Sequence, residues 1–193
     1  MGEVVLWTVG HSNHDLDRFF DLLRGADIRA VADVRSDPDR VYRDHFKQVP
    51  LRVALAEVGI DYVFLGAELG GRPRTPTHFD DEGRARYDLM AAEPAFSQAL
   101  ARVRDGAQRI RVAVLCSEAN PLECHRRLLV GRALTLDGVQ VLHIRADGAV
   151  VSEAELAEQE GEQPGLFGDL EVRPWRSARS VPPSAALSPS SEH

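Results

Sequence analysis

At 193 residues the chain has the length of one domain plus a tail, which argues against a two-domain enzyme with a separate cofactor module. With 44% hydrophobic and 27% charged residues it can bury a full core, and no apolar run approaches the ~20 residues that span a bilayer. The net charge of −7 is local: residues 1–150 carry 20 bases and 22 acids, 151–172 carry seven acids and no base, and 173–193 carry three arginines and Glu192. A nearly neutral core lacks the basic footprint of a protein that grips duplex nucleic acid by its phosphates, while leaving room for a small basic pocket. The start, Met1 to Trp7, enters an apolar run without a basic leader or cleavage site, the pattern of a cytoplasmic protein. Two cysteines, Cys116 and Cys124, are too few for a disulfide framework, and in a reducing compartment they point to reactivity or metal binding. Lys47 is the only lysine and lies in a polar loop, a poor setting for Schiff-base chemistry.

In chain order, Val4 to Val9 predicts a first strand, followed by Gly10-His-Ser-Asn and a helix with Leu16, Phe19, Phe20 and Leu23 at helical spacing, capped by Ser12 or Asn13. Ile28 to Val34 predicts a second strand, and a polar loop leads to a helix from about Pro50 to Val58, closed by Gly59. Ile60 to Leu65 is a third strand. A Gly/Pro/Arg segment over 66–82 precedes helical character over 83–105, broken at Pro94. Ile110 to Leu115 is the most continuous apolar strand, a helix runs from Pro121 to about Leu136, and Val139 to Ile144 closes the core. This alternation predicts a three-layer α/β sandwich with a mainly parallel, Rossmann-like sheet and right-handed crossovers. The core domain spans 1–150. An acidic helix and peptide segment follows over 151–172, and the Pro/Ser-rich end over 173–193 carries too little apolar surface to stay ordered. In such sheets ligands bind beyond the carboxyl ends of the strands, so chemistry should collect after residues 9, 34, 65, 115 and 144.

The richest of these positions is Cys116-Ser-Glu118-Ala-Asn-Pro121-Leu-Glu-Cys124-His125-Arg126-Arg127. A buried strand delivers Cys116 to the sheet edge, and the following helix start favours anions, a thiolate included. Cys116 is thus a candidate nucleophile, Glu118 and His125 its candidate partners, and Arg126 a receiver for an anionic substrate. The same Cys116, Glu118, Cys124 and His125 can be read as zinc or iron ligands, as a reversible disulfide pair, or as packing residues at a strand-to-helix turn. After the first strand, His11 is a second candidate acid or base, with Ser12 and Asn13 as phosphate binders or plain loop residues. Asp33 and Arg35 point the same way from the second strand and form either an ion pair or a ligand clamp. Gly70 and Gly71, with Arg72 and Arg74, suit an anion-binding lid or a surface loop. His143 ends the last strand, as a ligand contact or as a satisfied core histidine.

Thr8-Val-Gly-His-Ser-Asn13, Asp33-Val-Arg35, Phe46, Gly59-Ile-Asp-Tyr62, Leu69-Gly-Gly71, Tyr87 with Met90, Cys116-x-Glu118-x-x-Pro121-x-x-Cys124-His-Arg126, and His143-Ile with Asp147-Gly148 together resemble the family known as domain of unknown function 488 (DUF488). The likeness runs over roughly residues 5–150 and implies a fold rather than a reaction. A weaker likeness to rhodanese-like domains lies in the Asp-x-Arg strand end and a cysteine after a later buried strand. The Cys-x5-Arg pattern of cysteine phosphatases fails, because position 122 is Leu.

Gln163-Pro-Gly-Leu166-Phe167 resembles the peptide by which bacterial repair and replication proteins dock on the DNA sliding clamp; the alternative is that Leu166 and Phe167 cover their own domain. These readings lead first to an enzyme using Cys116 as thiolate nucleophile or redox centre on a small anionic ligand, such as a nucleotide or nucleobase. Two rivals are an accessory nucleotide- or nucleic-acid-binding protein tethered to the clamp, and a metal-dependent hydrolase or redox protein.

Overall fold

Apolar runs at period two and period 3.6 alternate along the chain and fold into strands and helices in that order. The computed structural model describes residues 3–159 and 174–183. It begins with β1 (Val5–Gly10), α1 (Leu16–Gly25), β2 (Ala30–Asp33), α2 (Gln48–Glu57), β3 (Asp61–Phe64) and a single turn, α3 (Gly66–Leu69). Then come β4 (Arg84–Arg86), α4 (Tyr87–Ala91), α5 (Pro94–Ala107) and β5 (Val112–Cys116). A π-helical stretch over Arg126–Gly131 continues as α6 (Arg132–Leu136), followed by β6 (Gln140–Ile144), β7 (Val150–Ser152), α7 (Glu153–Gln159) and β8 (Arg176–Ser180).

The main sheet runs β3-β2-β5-β1-β6-β7, parallel throughout except for β7, which turns back against β6. That turn uses Gly148 at φ +95, a left-handed conformation open to glycine at little cost. Strand alternation divides the core. Val112 and Val114 of β5 pack with Leu100 and Val103 of α5 and Leu129 beyond the sheet, whereas Ala113 and Leu115 face Phe19 and Leu23 of α1 and Leu55 of α2. The three-layer α/β reading with a mostly parallel sheet therefore holds. Among the described residues no helix is long and apolar enough to cross a membrane.

Several local expectations change. The cap of α1 is Asp15, which accepts from the Arg18 N–H at 2.8 Å, not Ser12 or Asn13; Ser12 is in the left-handed region at φ 49, three residues too early. The break expected at Pro94 is present between α4 and α5, and Pro94 itself opens α5 at its first turn, where a missing N–H costs nothing. Part of the tail is ordered: Arg176–Ser180 pairs antiparallel with β4, and Ser177 Oγ accepts from the Ala85 N–H at 2.9 Å. Trp175 and Val181 bracket that strand and lie against the core, with the Arg132 guanidinium 5.1 Å over the Trp175 ring. The proposed clamp peptide, Gln163, Leu166 and Phe167, lies outside the described residues.

Asp33 and Arg35 form the ion pair that the strand alternation allowed. Arg35 donates from Nε and Nη2 to the two Asp33 oxygens at 2.9 and 2.6 Å and from Nη1 to the Phe46 carbonyl at 2.8 Å, while the Tyr62 hydroxyl donates to Asp33 at 2.7 Å. Both partners are buried. This fork ties β2 to β3 and to the loop before α2. Replacing one partner strands the other charge in the interior, so Asp33→Ala is expected to lower stability by about 3–5 kcal/mol in denaturant unfolding. A loss below about 1 kcal/mol, the worth of a surface pair, would contradict this account.

Candidate active site

The sheet brings three strand ends together. Gly10 of β1 lies in register with Cys116 of β5, and Asp33 of β2 with Leu115. Beyond them the chains run side by side: the N–H groups of His11 and Ser12 donate to the carbonyls of Cys116 and Ser117 at 3.0 and 2.9 Å. A Cβ at Gly10 would sit 1.8 Å from the Glu118 carbonyl oxygen, so only glycine lets the loop after β5 approach this closely. Arg126 holds that loop from below. Its fully buried guanidinium donates to the Glu118 carbonyl and, at 2.9 Å, to the Ala119 carbonyl, and its Nη1 lies 3.7 Å from Cys124 Sγ.

On this support the four candidate residues converge. Cys116 and Cys124 both donate to the same carboxylate oxygen, Glu118 Oε2, at 2.7 and 3.0 Å. His125 Nδ1 lies 3.4 Å from Cys116 Sγ, and its Nε2 donates to the Val34 carbonyl at 2.9 Å. Gly71 makes room for the ring, since a Cβ there would lie 2.5 Å from His125 Cγ. Burial opposes the charge on Glu118, but the His125 charge and hydrogen bonds from both thiols outweigh it and hold its carboxyl at about 2. Burial likewise works against protonated His125; Cys124, Glu118 and the Val34 carbonyl raise its pKa nonetheless. Burial pushes the Cys124 thiol well up. The donor atoms of Cys116, Glu118, Cys124 and His125 all lie within 4.8 Å of one another, a set that also suits a tetrahedral zinc or iron ion.

The cluster lines a cavity of about 350 Å³ together with Arg72, Tyr87, Arg179 and the strand end Val181-Pro182. A neighbouring cavity of about 320 Å³ is lined by His11, Ser12, Asn13, Tyr42 and Arg43, and Arg40, Ser117 and Glu118 border both. The guanidiniums are not equivalent. Arg35 is committed to Asp33, and Arg126, expected to receive an anion, is instead fully buried on loop carbonyls and lines neither cavity. Arg40 and Arg179 have acidic partners, Asp37 at 3.3 Å and Glu123 at 2.5 Å. Arg72 and Arg43 make no ion pair among the described residues, which leaves one free cation facing each cavity.

Two further candidates take structural places. His143 is fully buried, with Nδ1 2.8 Å from the Thr8 hydroxyl and Nε2 2.8 Å from Glu153, which also pairs with Arg127 at 2.8 Å; it lines neither cavity. Gly70 packs against the Gly66 carbonyl and Ser36, one residue short of the cavity wall formed by Gly71. Tyr87 and β8 are wall residues to which the sequence reading gave no role at the site. A Trp175-x-Ser177 alternation ahead of Val181 was the available signal for the strand, masked by the prolines and serines around it.

His11 stacks on Phe46 with ring centroids 4.3 Å apart, its Nδ1 is held at 2.8 Å by the Ser12 carbonyl, and it meets Cys116 through its backbone N–H while its ring makes no hydrogen bond to the sulfur. Burial first, and Arg35 second, lower its pKa to about 4. The unfolded chain therefore binds a proton near pH 6.5 that the folded chain resists down to about pH 4, so stability falls with pH across that window. The expected contribution is up to about 3 kcal/mol. His11→Phe should remove this part of the slope in urea unfolding followed against pH, and an unchanged slope would refute it. Gly10→Ala, by pushing the Glu118 loop away, should slow alkylation of Cys116 at least tenfold in an iodoacetamide time course.

Searches of curated proteins and of solved structures find no match. The family model described as "Domain of unknown function DUF488" matches residues 15–133, which take in the Asp33–Arg35 pair and the whole Cys116 to Arg126 segment. The chain belongs to the DUF488 family.

Proposed function

We propose that the chain is an enzyme in which Cys116 is a thiol nucleophile acting on a small anionic substrate. One observation carries this reading: a cavity-lining thiol contacts an imidazole that a third group, the Val34 carbonyl, orients. Nucleophile, proton-transfer partner and orienter are the elements of an activated cysteine. His125 exchanges the proton with Cys116 or with the leaving group, and Glu118 stabilises the charged imidazole. Arg72 supplies the free positive charge that meets the substrate anion, with Arg40 at the junction of the two cavities. A nucleotide or nucleobase derivative fits this pairing of a basic mouth and a confined thiol. A cytoplasmic setting, which we also infer, keeps both thiols reduced.

Of the two cysteines, Cys116 is expected to react first with iodoacetamide, and His125→Ala is expected to slow it by a factor of about 100 or more, the usual scale of proton-transfer assistance. Equal rates in the wild-type and variant proteins would remove His125 from the mechanism. Arg72→Ala should leave alkylation by neutral iodoacetamide unchanged and slow alkylation by the anion iodoacetate.

The second reading, a zinc or iron centre, is favoured by the compact donor set and by the Val34 carbonyl behind His125, as metal-bound imidazoles require. Elemental analysis of untagged protein separates the two: about one ion per chain, lost in Cys116→Ser/Cys124→Ser, makes the cluster a metal centre, and none supports the thiol reading.

A further inference from the structure

We propose that Cys116 and Cys124 are a redox-active dithiol that closes into an intramolecular disulfide when a hydroperoxide oxidises Cys116. The inference rests on the reading of Cys116 as a nucleophile and extends it to what the second thiol does. Simple group transfer needs one cysteine, yet here a second one lines the same cavity and shares a single carboxylate oxygen with the first. Their sulfurs lie within 4.8 Å of each other, and a disulfide needs about 2.05 Å, so bond formation draws the two side chains together. Glu118, the group between them, loses both of its thiol donors as the sulfurs join. Nη1 of Arg126, 3.7 Å from Cys124 Sγ, places a positive charge beside the sulfur as it becomes an attacking nucleophile.

The steps balance. Cys116 sulfur attacks the terminal oxygen of the hydroperoxide, an S–O bond forms as the O–O bond breaks, and the departing hydroxide or alkoxide takes the thiol proton and leaves as water or an alcohol, giving Cys116 sulfenic acid. Cys124 sulfur then attacks Cys116 sulfur; the S–S bond forms, the S–O bond breaks, and the hydroxide leaves as water with the Cys124 proton. Two thiols together supply the two electrons that reduce one peroxide. An external dithiol restores the pair.

Cys116 and Cys124 lie between Arg111 and Arg126, so one tryptic peptide carries both. The test treats the full-length reduced protein, in the presence of a chelator, with one equivalent of hydrogen peroxide, then counts free thiols and weighs that peptide. The expected result is a fall from two free thiols to none, with the peptide lighter by two hydrogens and restored by dithiothreitol. Cys124→Ser should instead hold a sulfenic acid on Cys116 that dimedone traps, and Cys116→Ser should show neither product. A wild-type peptide that gains oxygen on Cys116 without losing two hydrogens overturns the dithiol and leaves the nucleophile intact. A Cys116 inert to both peroxide and iodoacetamide overturns both.

Discussion

The guanidinium of Arg126 has no access to water, and its two terminal nitrogens find their partners inside the protein. Lying at the start of the π-helical stretch, it binds the two carbonyls that follow the end of β5, and this anchors the loop that carries Glu118. The loop in turn presses on Gly10 so closely that no side chain fits. The two residues just before this stretch, Cys124 and His125, are thereby set against the strand end that carries Cys116. Sheet, loop and helix meet around one buried positive charge. The distances in the cluster follow from that meeting and not from any one segment.

A second buried network braces the far side. His143, Glu153 and Arg127 link β6, α7 and the same π-helical stretch, so the residue next to Arg126 is fixed independently. The Asp33–Arg35 fork does similar work beneath the cavity wall. Rigid support of this kind is what a reactive group needs, because misplacement by ~1 Å is enough to cost most of its advantage. Arg72, the cation left over at the mouth, follows two close-packed glycines and is tied through its backbone N–H to the Ser36 hydroxyl at 3.1 Å.

Much of this was legible from residue order. Period-two apolar runs located the parallel strands to within one or two residues, and the strand-end rule pointed to Cys116, His11 and Asp33 because a parallel sheet aligns its carboxyl ends. What escaped was whatever depends on direction or on distant partners. A sequence places Arg126 and Arg35 near the site, but only burial and hydrogen bonding show that both are already engaged, so that among the described residues the cavity-lining cations without an ion pair are Arg72 and Arg43. His143 reads equally as ligand or core until Glu153, ten residues on, is seen beside it. The strand over Arg176–Ser180 was hidden because its partner, β4, lies about 90 residues earlier and neither strand is apolar enough to announce itself.

That long return has a consequence for how the protein is made. Chains leave the ribosome amino end first, and domains begin to fold as they emerge. The parallel strands and both cysteines are complete by residue 144, but the segment that walls the cavity, Ser177 to Pro182, is synthesised only after them. Each newborn molecule therefore passes through a stage in which its thiols face the surroundings without their final wall. A nascent chain halted before residue 174 is consequently more open to oxidants at Cys116 than the finished protein.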